Sequence, residues 1–125
     1  VTWYKKAQKV PQSDNLDHSE GLHQFKLEHA TIWYHVLPTG EVELASLRVP
    51  QKYRKSGYAK AILSRFTEWL DQKGFSSTLG ASPLDKRTHP GKLEKLYSDF
   101  GYNPTGRHIN PMFDKEMKRE PNELV

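Results

Sequence analysis

The residues Arg54-Lys55-Ser56-Gly57-Tyr58-Ala59 are built like an anion site: a basic loop that follows a strand-like run, Leu47-Arg48-Val49, and enters an amphipathic helix at a glycine. The first turn of a helix presents backbone N–H groups without intrahelical acceptors, together with the positive end of the macrodipole. A diphosphate suits such a terminus. Gly57 and Ala59 have no side chain large enough to obstruct it, and Lys52, Arg54 and Lys55 add positive charge. The spacing alone serves a solvated connection equally well. No cysteine occurs in the chain, which excludes a disulfide framework, cysteine-ligated metal and a thiol nucleophile that carries an acyl group. His23, His29 and His35 recur at a regular interval that matches no metal-site geometry, so no metal is expected.

The elements that must hold this loop follow from periodicity. Phe25-Lys26-Leu27-Glu28 alternates, Thr31 to Leu37 is rich in β-formers, and Pro38-Thr39-Gly40 supplies a turn into a third run, Glu41 to Val49. A strict period of two puts Val42, Leu44, Ser46 and Arg48 on one face of that run and Glu41, Glu43, Ala45, Leu47 and Val49 on the other. Beyond Pro50 the period becomes helical: Ala59, Ile62, Leu63, Phe66, Trp69 and Leu70 form the apolar stripe, and Lys60, Ser64, Arg65, Thr67, Glu68 and Asp71 the polar one. This helix begins near Gly57 and stops before Gly74. Ser76 to Ala81 reads as a short strand. Pro90, the stripe Leu93, Leu96, Tyr97 and Phe100, and Gly101 mark a second helix. One or two weak strands follow, to about Lys118. Residues 1–21 read as an N-terminal arm or loop and 119–125 as a flexible tail, so that 1–125 form a single domain. The order predicts an α/β (α+β) fold, a mixed, mostly antiparallel sheet with flanking helices.

Composition bounds the partners. With 125 residues the chain has room for one domain, and 19 Lys and Arg against 15 Asp and Glu give a net charge of +4, which favours anionic ligands without a polybasic tail. No apolar stretch is long enough for a membrane helix, and the start lacks a secretory signal, so a cytoplasmic location is expected.

The loop resembles the signature of the GNAT family of N-acetyltransferases: Arg or Gln, two residues, Gly, one residue, then Gly or Ala. Leu96-Tyr97-Ser98-Asp99-Phe100-Gly101-Tyr102 is similar to the family's Tyr-x-x-x-Gly-aromatic helix end, and Met112 to Lys118 to its last strand. The resemblance spans roughly residues 25–118 and implies the family's acyl-CoA N-acyltransferase fold with a shortened N-terminal region. It implies acetyl-CoA as cosubstrate, with the diphosphate on the backbone of Arg54, Lys55, Ser56, Gly57, Tyr58 and Ala59 and the pantetheine pairing like an extra strand with Leu47, Arg48 and Val49. The thioester is then expected between the strand ending at Val49 and the strand 76–81, with a backbone N–H near Leu47 as oxyanion donor.

The implied reaction is direct attack of an amine on the thioester in a ternary complex. Glu43 is the candidate base, because some family members carry a glutamate at this spacing from the loop, and burial on its strand face is expected to raise its pKa. Glu41 and Glu28 are neighbouring alternatives. Tyr97 matches the family position whose phenol protonates the departing thiolate. The sequence departs from the family at Pro90, where an Asn is frequent and Lys92 offers a substitute contact, and before the sheet, where the family has a strand and two helices. An open acceptor site follows, fit for a protein lysine or N-terminus, or one completed by a second subunit; a small amine is the other acceptor class. Two alternatives are a non-catalytic CoA-binding or partner-binding module on the same fold and, ranked last because the charge is modest, a basic nucleic-acid-binding domain using Lys52, Arg54, Lys55 and Lys60.

Overall fold

The computed structural model describes residues 16–54, 56–81, 90–108 and 115–121. Three antiparallel strands open it: β1 (Gly21–Leu27), β2 (Ala30–Val36) and β3 (Val42–Arg48). After a 3-10 turn at Gln51–Tyr53 come α1 (Tyr58–Lys73), β4 (Ser77–Ala81), α2 (Pro90–Ser98), β5 (Asn103–His108) and β6 (Lys115–Arg119). The six strands form one sheet in the order β1-β2-β3-β4-β6-β5. Only β3 and β4 run parallel, and the sheet is mixed and mostly antiparallel as expected.

Both helices cover the same face. Ile32, Tyr34 and Val36 of β2 and Val42 and Leu44 of β3 are buried, and the Tyr34 ring packs on Phe66 and Trp69 of α1 with centroids 5.6 and 5.5 Å apart. Burying each of those large side chains contributes roughly 2 kcal/mol. On the α2 side, the hydroxyls of Ser77 and Tyr102 share a fully buried hydrogen bond of 2.8 Å. Ser77 lies on the same face as Leu79, which pairs with Leu44. The opposite face carries Trp33, His35, Glu43, Thr78 and Lys118, none of them buried, and neither described helix lies on it.

The polar stripe expected on α1 is narrower than its sequence suggests. Arg65 and Thr67 are buried, at 2 and 6% exposure; the Thr67 hydroxyl donates to the Leu63 carbonyl one turn back, which satisfies it inside the core. The helix ends at Gly74, whose N–H donates to Asp71 while that of Phe75 donates to Leu70.

Both ends of the chain are more structured than expected where they are described. Residues 1–15 and 122–125 lie outside the described residues, but Gly21 begins β1 and the segment before it is docked. The Tyr34 hydroxyl donates to the Asp17 carbonyl at 2.8 Å, and the His18 ring stacks on Phe75 at 3.6 Å and bonds the Gly40 carbonyl. Arg119, assigned from sequence to the tail, ends β6 with 4% exposure. Its Nε donates to Phe100 O at 2.7 Å and its two Nη groups to Asp71. Gly101 makes room for it: a Cβ there would lie 3.1 Å from Arg119 Nε, and the φ of 96° is open to glycine.

Candidate active site

The site begins where β3 and β4 part. Their parallel pairing covers Val42 with Ser77, Glu43 with Thr78 and Leu44 with Leu79, and stops there. Residues 45–48 of β3 remain paired with β2 through Ser46, Leu47 and Arg48, so their other edge faces a gap that β4 no longer fills. That edge includes Leu47 and Arg48, where an extended ligand segment is expected to pair.

A bulge at the parting point changes which residues share a face. Trp33 pairs with Ser46 and the next residue, Tyr34, with Leu44, leaving Ala45 as the extra residue of β3. The strict alternation expected from sequence therefore fails at Ala45. Leu47, partly buried, and Val49, 9% exposed, join Val42 and Leu44 on the helix side. Glu43 does not share their face; it lies with Ser46 and Arg48 on the side without helices, half-buried, with His35 as its partner on β2 and Thr78 on β4. The argument that placed Glu43 on an apolar face is thus corrected; the residue lies within the paired stretch of β3 and β4, one position before the pairing ends.

At the far end of the gap the chain turns into α1. Tyr53 N–H donates to Pro50 O and Arg54 N–H to Gln51 O, closing the 3-10 turn. The Arg54 side chain is exposed and its Nε donates to Val49 O at 3.0 Å, so it braces the strand end as well as adding charge. Lys55 lies outside the described residues. Gly57 is the N-cap of α1 at φ 86°, a left-handed conformation that disfavours any side chain, and a Cβ there would meet nothing within 4 Å. The first intrahelical bond runs from Ala61 N–H to Gly57 O, so the N–H groups of residues 58–60 precede the ladder. No side chain caps this terminus and no acidic residue sits in its first turn. Exposed Arg54, Ser56 and Lys60 surround it. An anion fits this donor set and the open space above Gly57.

Tyr97 projects from the last turn of α2, next to β4, and is 7% exposed. Burial pushes its phenol up to about 12, so it stays a neutral proton donor at physiological pH. Its carbonyl accepts the N–H groups of Phe100 and Tyr102, which fixes the helix end beneath the ring. Its ring packs edge-on against Tyr102 at 6.0 Å.

Sequence reasoning missed four neighbours of the site. His35 and Thr78 flank Glu43 across the sheet, which only register reveals. His29, in the turn between β1 and β2, and Tyr53, at the end of the 3-10 turn, stack beside the loop with centroids 3.6 Å apart, a pairing of distant residues that had no local signal. Among the described residues no group of three or more His, Asp or Glu is arranged to hold a metal, and no helix is long and apolar enough to cross a membrane.

Comparison with known proteins agrees with this geometry. The fold is similar to that of the anti-CRISPR protein AcrVA5, with a TM-score of 0.63 at 16% identity over 78% of this chain and 97% of that one. It is likewise similar to the ribosomal-protein-S18-alanine N-acetyltransferase from Escherichia coli, with a TM-score of 0.60 at 17% identity over 86% and 73% of the two chains. A third similar structure is a putative N-acetyltransferase from Lactobacillus plantarum, with a TM-score of 0.58 at 16% identity over 74% and 60%. No curated protein matches the sequence at a significant level. The model of the acetyltransferase (GNAT) family matches residues 14–102, most of the chain. With that match, the strand gap and the glycine-capped helix entrance, the chain belongs to the GNAT family of acetyltransferases.

Proposed function

We propose that the chain transfers the acetyl group of acetyl-CoA to an amine by direct attack, and that the acceptor is a lysine or N-terminal amine carried by a protein. The observation that carries this reading is the parting of β3 and β4 beyond Leu44 and Leu79, which leads to the glycine-capped end of α1. In this reading the backbone of residues 54–59 and the positive end of α1 bind the diphosphate, and the free edge of Leu47 to Val49 aligns the pantetheine. Bound acetyl-CoA supplies an activated thioester.

The residues of this chain then divide the proton work between the two faces of the sheet. Glu43, on the face without helices, accepts the proton of the incoming ammonium at its carboxylate. A backbone N–H near Leu47 stabilises charge on the thioester oxygen. Tyr97, on the helix face and neutral, gives its phenolic proton to the sulfur as the C–S bond breaks, and the second proton lost by the newly acylated nitrogen passes through solvent to restore the phenol. The absence of cysteine rules out an acyl-cysteine route in this chain. Because neither described helix walls the Glu43 face, an acceptor there must bring much of its own complementary surface, which a protein does and a small amine does not.

Calorimetric titration with acetyl-CoA, CoA and a DNA duplex, followed by an acetylation assay on lysine-bearing and N-terminal peptides, tests this reading. One-to-one binding of both CoA ligands with turnover on a peptide is the expected result. Binding without turnover on any amine points to a CoA-binding module. Binding of the duplex alone would sink the assignment.

A further inference from the structure

We infer that His29 is a positioning residue for the diphosphate loop, which it holds in its binding shape through an aromatic clamp; this rests on the acetyl-CoA reading above. The His29 ring lies on Tyr53 almost parallel, 3° from coplanar with centroids 3.6 Å apart, and meets Tyr58 edge-on at 5.2 Å. Tyr53 and Tyr58 themselves meet edge-on at 6.0 Å. Lys52 Nζ sits 5.0 Å from the Tyr53 centroid. Tyr53 ends the 3-10 turn and Tyr58 opens α1, so the clamp grips the loop at both ends, with residues 54–57 between the two contacts.

The support comes from outside the loop, from the two-residue turn between β1 and β2. In that turn Glu28 has a φ of 54°, the one described non-glycine residue in the left-handed region. A side chain there is strained, and strain of this kind persists where the surroundings impose it. The turn joins Leu27 and Ala30, which are register partners on rigid strands, and it directs His29 at the loop. His29 itself is exposed. An exposed ring has little burial to contribute to the core, whereas the loop of residues 54–57 gains from being pre-ordered before a ligand arrives, since ordering it on binding subtracts from affinity.

The experiment titrates acetyl-CoA into wild type, His29→Ala, His29→Phe, Tyr53→Ala and the double alanine variant. Acetyl-pantetheine, which lacks the diphosphate, is titrated in parallel by chemical-shift changes. His29→Ala is expected to weaken acetyl-CoA at least about fivefold and to leave acetyl-pantetheine within about twofold. His29→Phe restores the stack and the affinity, and the double variant loses no more than either single one, because both remove the same clamp. Unchanged acetyl-CoA affinity in His29→Ala, equal losses for both ligands, or additive losses in the double variant overturn the clamp while leaving the acetyl-CoA reading intact. A wild type that binds no acetyl-CoA overturns both.

Discussion

Arg119 and Asp71 meet through two parallel hydrogen bonds, Nη1 to Oδ1 at 2.7 Å and Nη2 to Oδ2 at 2.8 Å. The pair joins the end of β6 to the last turn of α1, and the third donor of Arg119 holds Phe100 O just past α2. Removing the arginine takes two charge-assisted hydrogen bonds from a mostly buried carboxylate and one from a carbonyl. Arg119→Ala should therefore cost about 3 kcal/mol, read as a lowered urea midpoint.

Three buried phenols set the alkaline limit. Burial pushes Tyr34 and Tyr97 up to about 12 and Tyr102 further still, while an unfolded tyrosine titrates near 10. The folded chain therefore holds protons that the unfolded chain has released. The stability tied to these groups is complete below about pH 10 and is lost as pH rises from about 10 towards 12. Urea midpoints should fall across that window, and Tyr97→Phe should flatten the fall. The same variant should lower turnover about 100-fold with acetyl-CoA affinity unchanged; wild-type turnover would return Tyr97 to a packing role.

Gly57→Ala separates conformation from space. The position is open but its φ of 86° opposes a Cβ, so the substitution should cost about 1 kcal/mol of stability. It should weaken acetyl-CoA about tenfold by shifting the N–H groups of the first turn. An alanine variant with wild-type affinity in calorimetry would show that the helix entrance does not carry the diphosphate.

Glu43→Gln removes a proton acceptor and keeps the shape. Turnover should drop about 100-fold near neutral pH and recover partly at higher pH, where the acceptor amine arrives already deprotonated. A pH–rate profile that overlays on wild type would move the base elsewhere, to Glu41 first.

What could be read from the chain was what local chemistry dictates. Gly57 and Gly74 bound α1, Pro38-Thr39-Gly40 turns into β3, and the Arg54 to Ala59 loop leads into a helix because each depends on residues adjacent in sequence. The errors arose where distant residues decide. Arg65 and Arg119 read as solvent-facing because charge is a surface signal, yet Arg119 is buried against an aspartate far away in the chain. The face of Glu43 was misread because one extra residue, Ala45, resets the alternation, and a bulge has no signature of its own in a run such as Val42-Glu43-Leu44-Ala45-Ser46-Leu47. The row His35, Glu43 and Thr78 exists only through strand register.

The bulge also makes the length of β3 as informative as its composition. Deleting Ala45 would make Leu44 and Ser46 neighbours opposite Tyr34 and Trp33, so that Leu47 and Arg48 would keep their faces in a strand without the bulge. A strand that kept Ala45 but paired without the bulge would instead turn Leu47 away from the helices and Arg48 towards them, so the bulge is what fits the residue count of β3 to its two faces.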